Sequence, residues 1–270
     1  RRDLRGLRLT NLFSRRPIVD PDSPVIVGVT TYGSRLKTVH LPIESVARGT
    51  LRPRRHLLFL DDPRAAARPT RALRRLQRRG LEIIEVPAGL KVHTKHYFHV
   101  HSTSHHEHPY ATHEDDILFP DFWLAELVAS LEAHPDDLST PRAHKVRFDG
   151  DAIAPYSTWQ PCSDTEPSFR NFGTTVSGQI YPSAFLDEVR DAGEGFREVA
   201  PDNDDLWLHH LAVLHGRRVV QTRAHPQHFA FVPGTQAVGL YFTNVAAGGN
   251  DRQIARTYTP ETIARMRGEL

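Results

Sequence analysis

The sequence predicts an α/β fold with a doubly wound sheet. Three short apolar runs recur in the first third of the chain, segments of helical periodicity separate them, and carboxylates cluster where the runs end. Residues 25–30 (VIVGVT) form an apolar run closed by turn-prone residues, as a buried parallel strand requires. From 34 to 48, Leu36, Val39, Ile43 and Val46 fall at helical spacing, and Pro42 inside the pattern means a kink or a restart. Residues 56–60 read as the second strand, ending in Asp61-Asp62-Pro63. Residues 71–79 read as a helix with Leu73 and Leu76 inward and Gly80 as its stop. Residues 82–86 complete a strand–helix–strand–helix–strand series.

Composition narrows the function classes. With 39% apolar and 24% charged residues the chain reads as an ordinary globular protein, and 270 residues suffice for a sizeable core. No apolar run reaches membrane-spanning length and no signal peptide is legible. The lone Cys162 has no disulfide partner within the chain and fits a reducing cytosol, so the expected location is cytoplasmic. Arg5, Arg8, Arg15 and Arg16 interleave with Leu4, Leu7, Leu9 and Leu12 in an expected basic arm over 1–22. Such a stretch suits peripheral contact with an anionic membrane at its inner face, a disordered arm, or packing on a neighbouring domain. Nucleic acid is not an expected partner, because the basic stretches lack aromatics or a reader motif.

Ligands of doubly wound sheets bind at the carboxyl ends of the strands. The turn after the first strand, Thr30-Thr31-Tyr32-Gly33-Ser34, lacks the three-glycine pattern of dinucleotide binders, which disfavours nicotinamide and flavin chemistry. The histidine-rich stretch from His93 to His113, with His99, His101, His105, His106 and His108, reads as an exposed polar loop rather than a zinc site. The helix over 121–134 has Leu124, Leu127, Val128 and Leu131 as its stripe, Asp121 as its expected cap and Pro135 as its end.

Just before that helix, His113-Glu114-Asp115-Asp116 packs three carboxylates between apolar segments. Like charges so close are costly to bury and call for a cation. A hard divalent ion, Mg²⁺ or Mn²⁺, that also holds a diphosphate fits the site, the alternative being a solvated acidic turn. A second cluster, Asp202-Asn203-Asp204-Asp205, precedes an apolar helix through Leu208, Leu211, Ala212 and Leu214. Helix capping needs one acid, and this segment offers three.

Four blocks then carry a resemblance. Residues 112–120 (THEDDILFP), 155–159 (PYSTW), 178–182 (GQIYP) and 204–208 (DDLWL) match, in order, the TADDDIIYP, PYxSW, GxLYP and DDIWL blocks of bacterial family 2-like glycosyltransferases. Residues 25–62 resemble the opening of the same enzymes, so the likeness spans about 25–222.

The resemblance implies a GT-A type nucleotide-sugar-binding fold, a Rossmann-like mixed sheet flanked by helices. It implies one glycosyltransferase domain over 23–270, its nucleotide-binding half about 23–120 and its acceptor half about 121–270. It also implies transfer from a nucleoside-diphosphate sugar to a hydroxyl of a glycan or polysaccharide acceptor, metal-dependent and inverting. By position it makes Asp116 the metal ligand and Glu114, where the family has Asp, a second ligand or a donor contact. Asp115, Asp61, Thr31, Tyr32 and Lys95 would meet the donor. Asp205, or its neighbour Asp204, would be the general base, and Trp207, Trp159 and Tyr156 would either meet the acceptor or pack in the core. His225 and His228 are further candidate metal ligands, and the segment through Thr235, Gln236, Asn244 and Gly248 to Asp251 would either fold over the donor or form a plain turn with Asp251 as a helix cap. Two other classes stay open: a non-catalytic nucleotide-sugar or carbohydrate-binding module, and a metal-dependent phosphohydrolase drawing ligands from the histidine stretch.

Overall fold

The structure, a computed structural model, describes residues 2–236 and 248–268. Its helices are α1 (Arg2–Phe13), α2 (His40–Ala47), α3 (Pro63–Ala67), α4 (Arg71–Gln77), α5 (Thr94–Val100), α6 (Trp123–Ala133), α7 (Ser183–Asp191), α8 (Phe196–Val199), α9 (Asp204–Leu214), α10 (Gly249–Thr257) and α11 (Pro260–Arg267). The principal sheet has seven strands: β1 (Ile26–Thr30), β2 (Arg55–Leu60), β3 (Leu81–Glu85), β4 (Tyr110–Thr112), β5 (Leu138–Thr140), β6 (Gln179–Tyr181) and β7 (Val219–Gln221).

Their spatial order is β7-β5-β6-β4-β1-β2-β3. β6 alone runs against its neighbours β4 and β5; the other pairings are parallel. From β1 the chain winds outward through β2 to the edge strand β3, then returns to place β4 on the other side of β1. The winding direction therefore switches between β1 and β4, and ligands of such sheets bind outside the carboxyl ends of the strands at that point. Gly28 permits this neighbour. A Cβ there would lie 1.5 Å from the hydroxyl oxygen of Tyr110, so any larger residue would push β4 away from β1.

Alternation along the strands divides the core. Val25, Val27, Val29, Leu58, Leu60 and Ala111 meet α2, α4 and α6 on one face. Ile26, Leu57, Phe59 and Tyr110 meet the apolar sides of α5, α7 and α9 on the other. A sheet covered on both faces explains why its strands read as continuous apolar runs.

Several local expectations change. The helix expected from 34 restarts: a 3-10 turn over Gly33–Lys37 ends, α2 begins at His40, and Pro42 falls within its first turn, where its missing N–H costs nothing. Asp121 does not cap α6; it accepts from Arg48 at 2.8 Å, and the N-cap is Phe122 with no side-chain bond. The 1–22 segment, expected as an arm, forms α1, which packs along α2 and α4. Leu7 is buried there, and Asn11 donates to Glu44 (3.0 Å) and to the Ala72 carbonyl (3.2 Å).

The histidine-rich stretch is not an exposed polar loop throughout. Its first part is α5, and His93, His96, His99 and His106 are buried. His93 stacks on Phe196 at 4.0 Å and bonds the Ala200 carbonyl, His99 stacks on Tyr110 at 4.0 Å, and His106 bonds Asp187 at 2.6 Å. Burial lowers the pKa of His93 to about 4 and of His99 to about 3, so both are neutral packing groups.

Candidate active site

Two turns meet at the switch point. The turn after β1 brings Thr31, Tyr32 and Arg35, and the turn after β4 brings Glu114, Asp115 and Asp116. Thr31 donates its hydroxyl to Asp115 Oδ2 at 2.6 Å. Arg35 spreads across both aspartates, with Nη1 2.7 Å from Asp115 Oδ1 and Nη2 2.9 Å from Asp116 Oδ2. Its guanidinium also lies over the Tyr32 ring, 5.8 Å from the centroid. The carboxylate cluster thus has a cation built into the protein. Sequence reasoning missed Arg35, whose only signal is its place just after the Thr-Thr-Tyr turn.

The other end of the cluster is tied to the second one. Lys95, buried on α5, donates to Glu114 Oε1 and to the Thr175 hydroxyl (3.1 Å), and its Nζ lies 3.0 Å from Asp204 Oδ2. The Asp204 contact is an ion pair by distance without hydrogen-bond geometry. One ammonium thus joins acids from the turn after β4 and from α9, parts of the chain far apart in sequence. Burial alone would lower the Lys95 pKa, but Asp204 and Glu114 outweigh it and hold it well above its usual value.

Asp205 stands beside this bridge. Its Oδ1 accepts the backbone N–H of Thr175 at 3.0 Å. The side chain remains partly exposed, and burial together with the neighbouring Asp204 raises its pKa to about 7. Neither aspartate caps α9. Asn203 is the N-cap and accepts from Leu206 N at 3.1 Å, which leaves both acids free for other work. Asp202 pairs with Lys91 at the surface.

A divalent ion would find hard oxygen donors in this cluster. Asp116 Oδ2 is taken by Arg35 and by Gln236 Nε2 (2.8 Å), while Oδ1 keeps no partner among the described residues. Burial, Glu114 and Asp115 raise the Asp116 pKa to about 6 despite Arg35, the mark of a carboxylate short of positive charge. One such oxygen fits Mg²⁺-type sites, which draw one or two carboxylates from the protein and the rest from phosphate and water. No group of three or more His, Cys, Asp or Glu able to hold a metal forms among the described residues. His225 and His228 are exposed, and His228 lines a shallow hollow with Arg48 and Asp121.

The remaining candidates separate. Asp62 caps α3, accepting from Arg64 N and Ala65 N, which leaves Asp61 as the uncommitted carboxylate after β2. Trp159 and Trp207 are spent on the core rather than on an acceptor platform: they are 4% and 7% exposed, Trp159 packing edge-on to Phe172 and Trp207 against Phe196. Tyr156 is half-buried, and burial with nearby Asp205 raises its pKa to about 12. Asp251 is not a helix cap. The N-cap of α10 is Gly248, and Asp251 Oδ1 instead accepts the Tyr156 N–H at 2.7 Å, fixing that ring's turn. Asn250 accepts from the Asn203 side chain (2.9 Å), so the glycine-rich start of α10 is knitted to the second cluster. Asn244 lies outside the described residues.

An open α/β sheet with acid-rich turns at its switch point, and one antiparallel strand inserted beyond it, is the architecture of the GT-A glycosyltransferases. No known sequence family and no curated protein matches the chain, whereas solved structures do. One is the mannosyltransferase PcManGT from Pyrobaculum calidifontis in complex with GDP-Man and Mn²⁺, at 15% identity and a TM-score of 0.56, covering 99% of this chain and 76% of that one. Another is GalNAc-T7 with UDP, GalNAc and Mn²⁺, at 11% identity and a TM-score of 0.51, covering 74% of this chain and 42% of that one. S. aureus TarS 1-349 aligns at 15% identity with a TM-score of 0.49, and the chain spans 58% of its length. The likenesses to PcManGT and GalNAc-T7 establish the fold.

Proposed function

We propose that the chain is a glycosyltransferase that moves a sugar from a nucleoside-diphosphate donor to a hydroxyl of a glycan or related acceptor, with inversion. The observation that carries this reading is the Lys95 bridge, which brings the two acid clusters into one site with Asp205 beside it. Thr31, Tyr32 and Asp61 line the nucleoside end, and Asp61 is suited to accept from its donors. Asp116, with Glu114 as the second candidate, would hold a divalent ion that offsets charge growing on the diphosphate. Arg35 and Lys95 carry fixed positive charge at either end of the same cluster.

Asp205 takes the proton from the acceptor hydroxyl as its oxygen attacks the anomeric carbon. The bond from that carbon to the diphosphate breaks on the opposite face, and the electron pair leaves with the nucleoside diphosphate. Tyr156 is positioned to meet the acceptor. The phosphohydrolase reading needs histidine ligands, and the imidazoles of His93, His96, His99 and His106 are committed to packing and internal bonds. In the binding-module reading, the same acids hold a nucleotide without transfer.

Donor and metal binding test the proposal directly. A nucleoside diphosphate with Mn²⁺ should stabilise the parent by about 2.7 kcal/mol at a hundredfold excess over Kd. Asp116→Ala should remove the Mn²⁺-dependent part and leave the protein folded, because Asp115 still pairs with Arg35. Unchanged metal dependence in that variant rules out the Asp116 assignment. Asp61→Asn should raise the donor KM about tenfold, a loss of roughly 1.4 kcal/mol, with kcat little changed. A normal KM with a collapsed kcat would move Asp61 from binding to chemistry.

A further inference from the structure

The helix α1 has two apolar sides, and only one of them is used. Leu7 and Asn11 face the protein, while Leu9 (55% exposed), Leu12 (48%) and Phe13 (77%) stand in solvent. At 3.6 residues per turn, Leu9 lies about 180° around the helix from the line through Leu7 and Asn11. Leu12 and Phe13 lie about 120° and 140° from the same line, so all three side chains face away from the domain.

The charge around this edge is of one sign. No Asp or Glu occurs in residues 4–19, which contain α1 beyond its first turn, or in residues 63–81, which contain α4. Arg5, Arg8, Arg15 and Arg16 are exposed beside the apolar edge. Arg71 and Arg74 on α4 and Arg78 at its C-cap are exposed, and α4 lies against α1. None of these seven forms an ion pair among the described residues, whereas Arg48, Arg52, Arg55, Arg217 and Arg223 each do. The two helices also converge electrostatically: Arg8 and Arg75 both act on His40, whose pKa burial and these charges lower to about 4.

We propose that the outer face of α1 and α4 docks on an anionic lipid bilayer, with Leu9, Leu12 and Phe13 entering the headgroup region and the arginines meeting lipid phosphates. The apolar edge decides the partner. A nucleic acid or other soluble polyanion would satisfy the arginines but leave these three side chains in water, whereas a bilayer satisfies both. The proposal does not depend on the transferase reading. It does bear on that reading's geometry, because the inner side of α1 packs on Leu118 and Val232, next to Asp116 and a few residues before Gln236. Docking through α1 would hold the acid cluster close to the lipid surface.

Sedimentation with vesicles tests this on the full chain. The protein should pellet with vesicles of phosphatidylcholine and phosphatidylglycerol at low salt, and not with phosphatidylcholine alone. Leu9→Ser with Phe13→Ser should weaken partition about tenfold, and because both side chains are exposed the melting temperature should stay near the parent's. Arg71→Gln, Arg74→Gln and Arg78→Gln should each cost about fivefold. No partition onto anionic vesicles at low salt overturns the proposal. So does partition that the Leu9/Phe13 double variant leaves unchanged, since a purely electrostatic surface would bind any polyanion equally well.

Discussion

Asp205→Asn is expected to lower kcat by about 10²–10⁴ while donor KM and metal dependence stay near the parent's. An alcohol is a poor nucleophile at neutral pH, and the reaction needs a positioned base to take its proton. Asparagine keeps a carbonyl oxygen to accept the Thr175 N–H but cannot take that proton. Because Asn203 caps α9, the substitution leaves the helix start intact. The pH profile gives an independent check. Burial and Asp204 raise the Asp205 pKa in the free protein to about 7, and a base works only when ionised, so parental kcat/KM should rise as pH increases through about 7. The residual rate of the variant should lack that limb. Asp204→Asn provides the comparison, since it disturbs the ion pair with Lys95 and should act more on stability than on turnover. Parental turnover in both variants would mean that the base lies elsewhere, and sensitivity at Asp204 alone would move the role by one residue.

Replacing Lys95 should have the largest effect on stability. Lys95→Met leaves the buried Asp204 carboxylate and part of Glu114 without their cation, a loss of about 3–5 kcal/mol for a fully buried pair. Glu114 is 28% exposed in its side chain and water screens it, so the expected loss sits at the lower end, about 3 kcal/mol. The folded-state pKa of Lys95 is raised, so its contribution is complete at neutral pH and fades only in strong base. Urea unfolding of Lys95→Met, alone and combined with Asp204→Asn, measures the effect, and the second change should recover part of the loss. A shift below 1 kcal/mol would show that the bridge contributes little to stability.

What was legible in the sequence follows from what each residue does locally. The strands β1, β2 and β3 announce themselves because both sheet faces are covered, which leaves unbroken apolar runs. The two acid clusters stand out because carboxylates between apolar segments are rare. The partners that hold these acids do not stand out. Arg35 resembles any surface arginine until the β1 turn meets the β4 turn, and Thr175 is one hydroxyl in a Thr-Thr pair. The cap expected at Asp121 went to no side chain because Arg48, distant in sequence, claims that carboxylate. Trp159 and Trp207 could be read as platforms because an aromatic's side of the fold is set by tertiary packing alone. The docking of α1 was hidden for the same reason: Leu7 and Asn11 find their surface only once α2 and α4 are in place.

The Arg35 guanidinium donates to the Thr235 carbonyl at 3.2 Å, across 200 residues of chain, and Asp116 accepts from Gln236 across 120. Closing loops of that span costs more entropy than pairing β1 with β2, so such contacts form late in folding. During synthesis the central strands can assemble while residue 236 has not yet left the ribosome. Until it does, Asp115, Asp116 and Arg35 keep more water around them, and their desolvation is deferred to a stage when the sheet beneath them already stands.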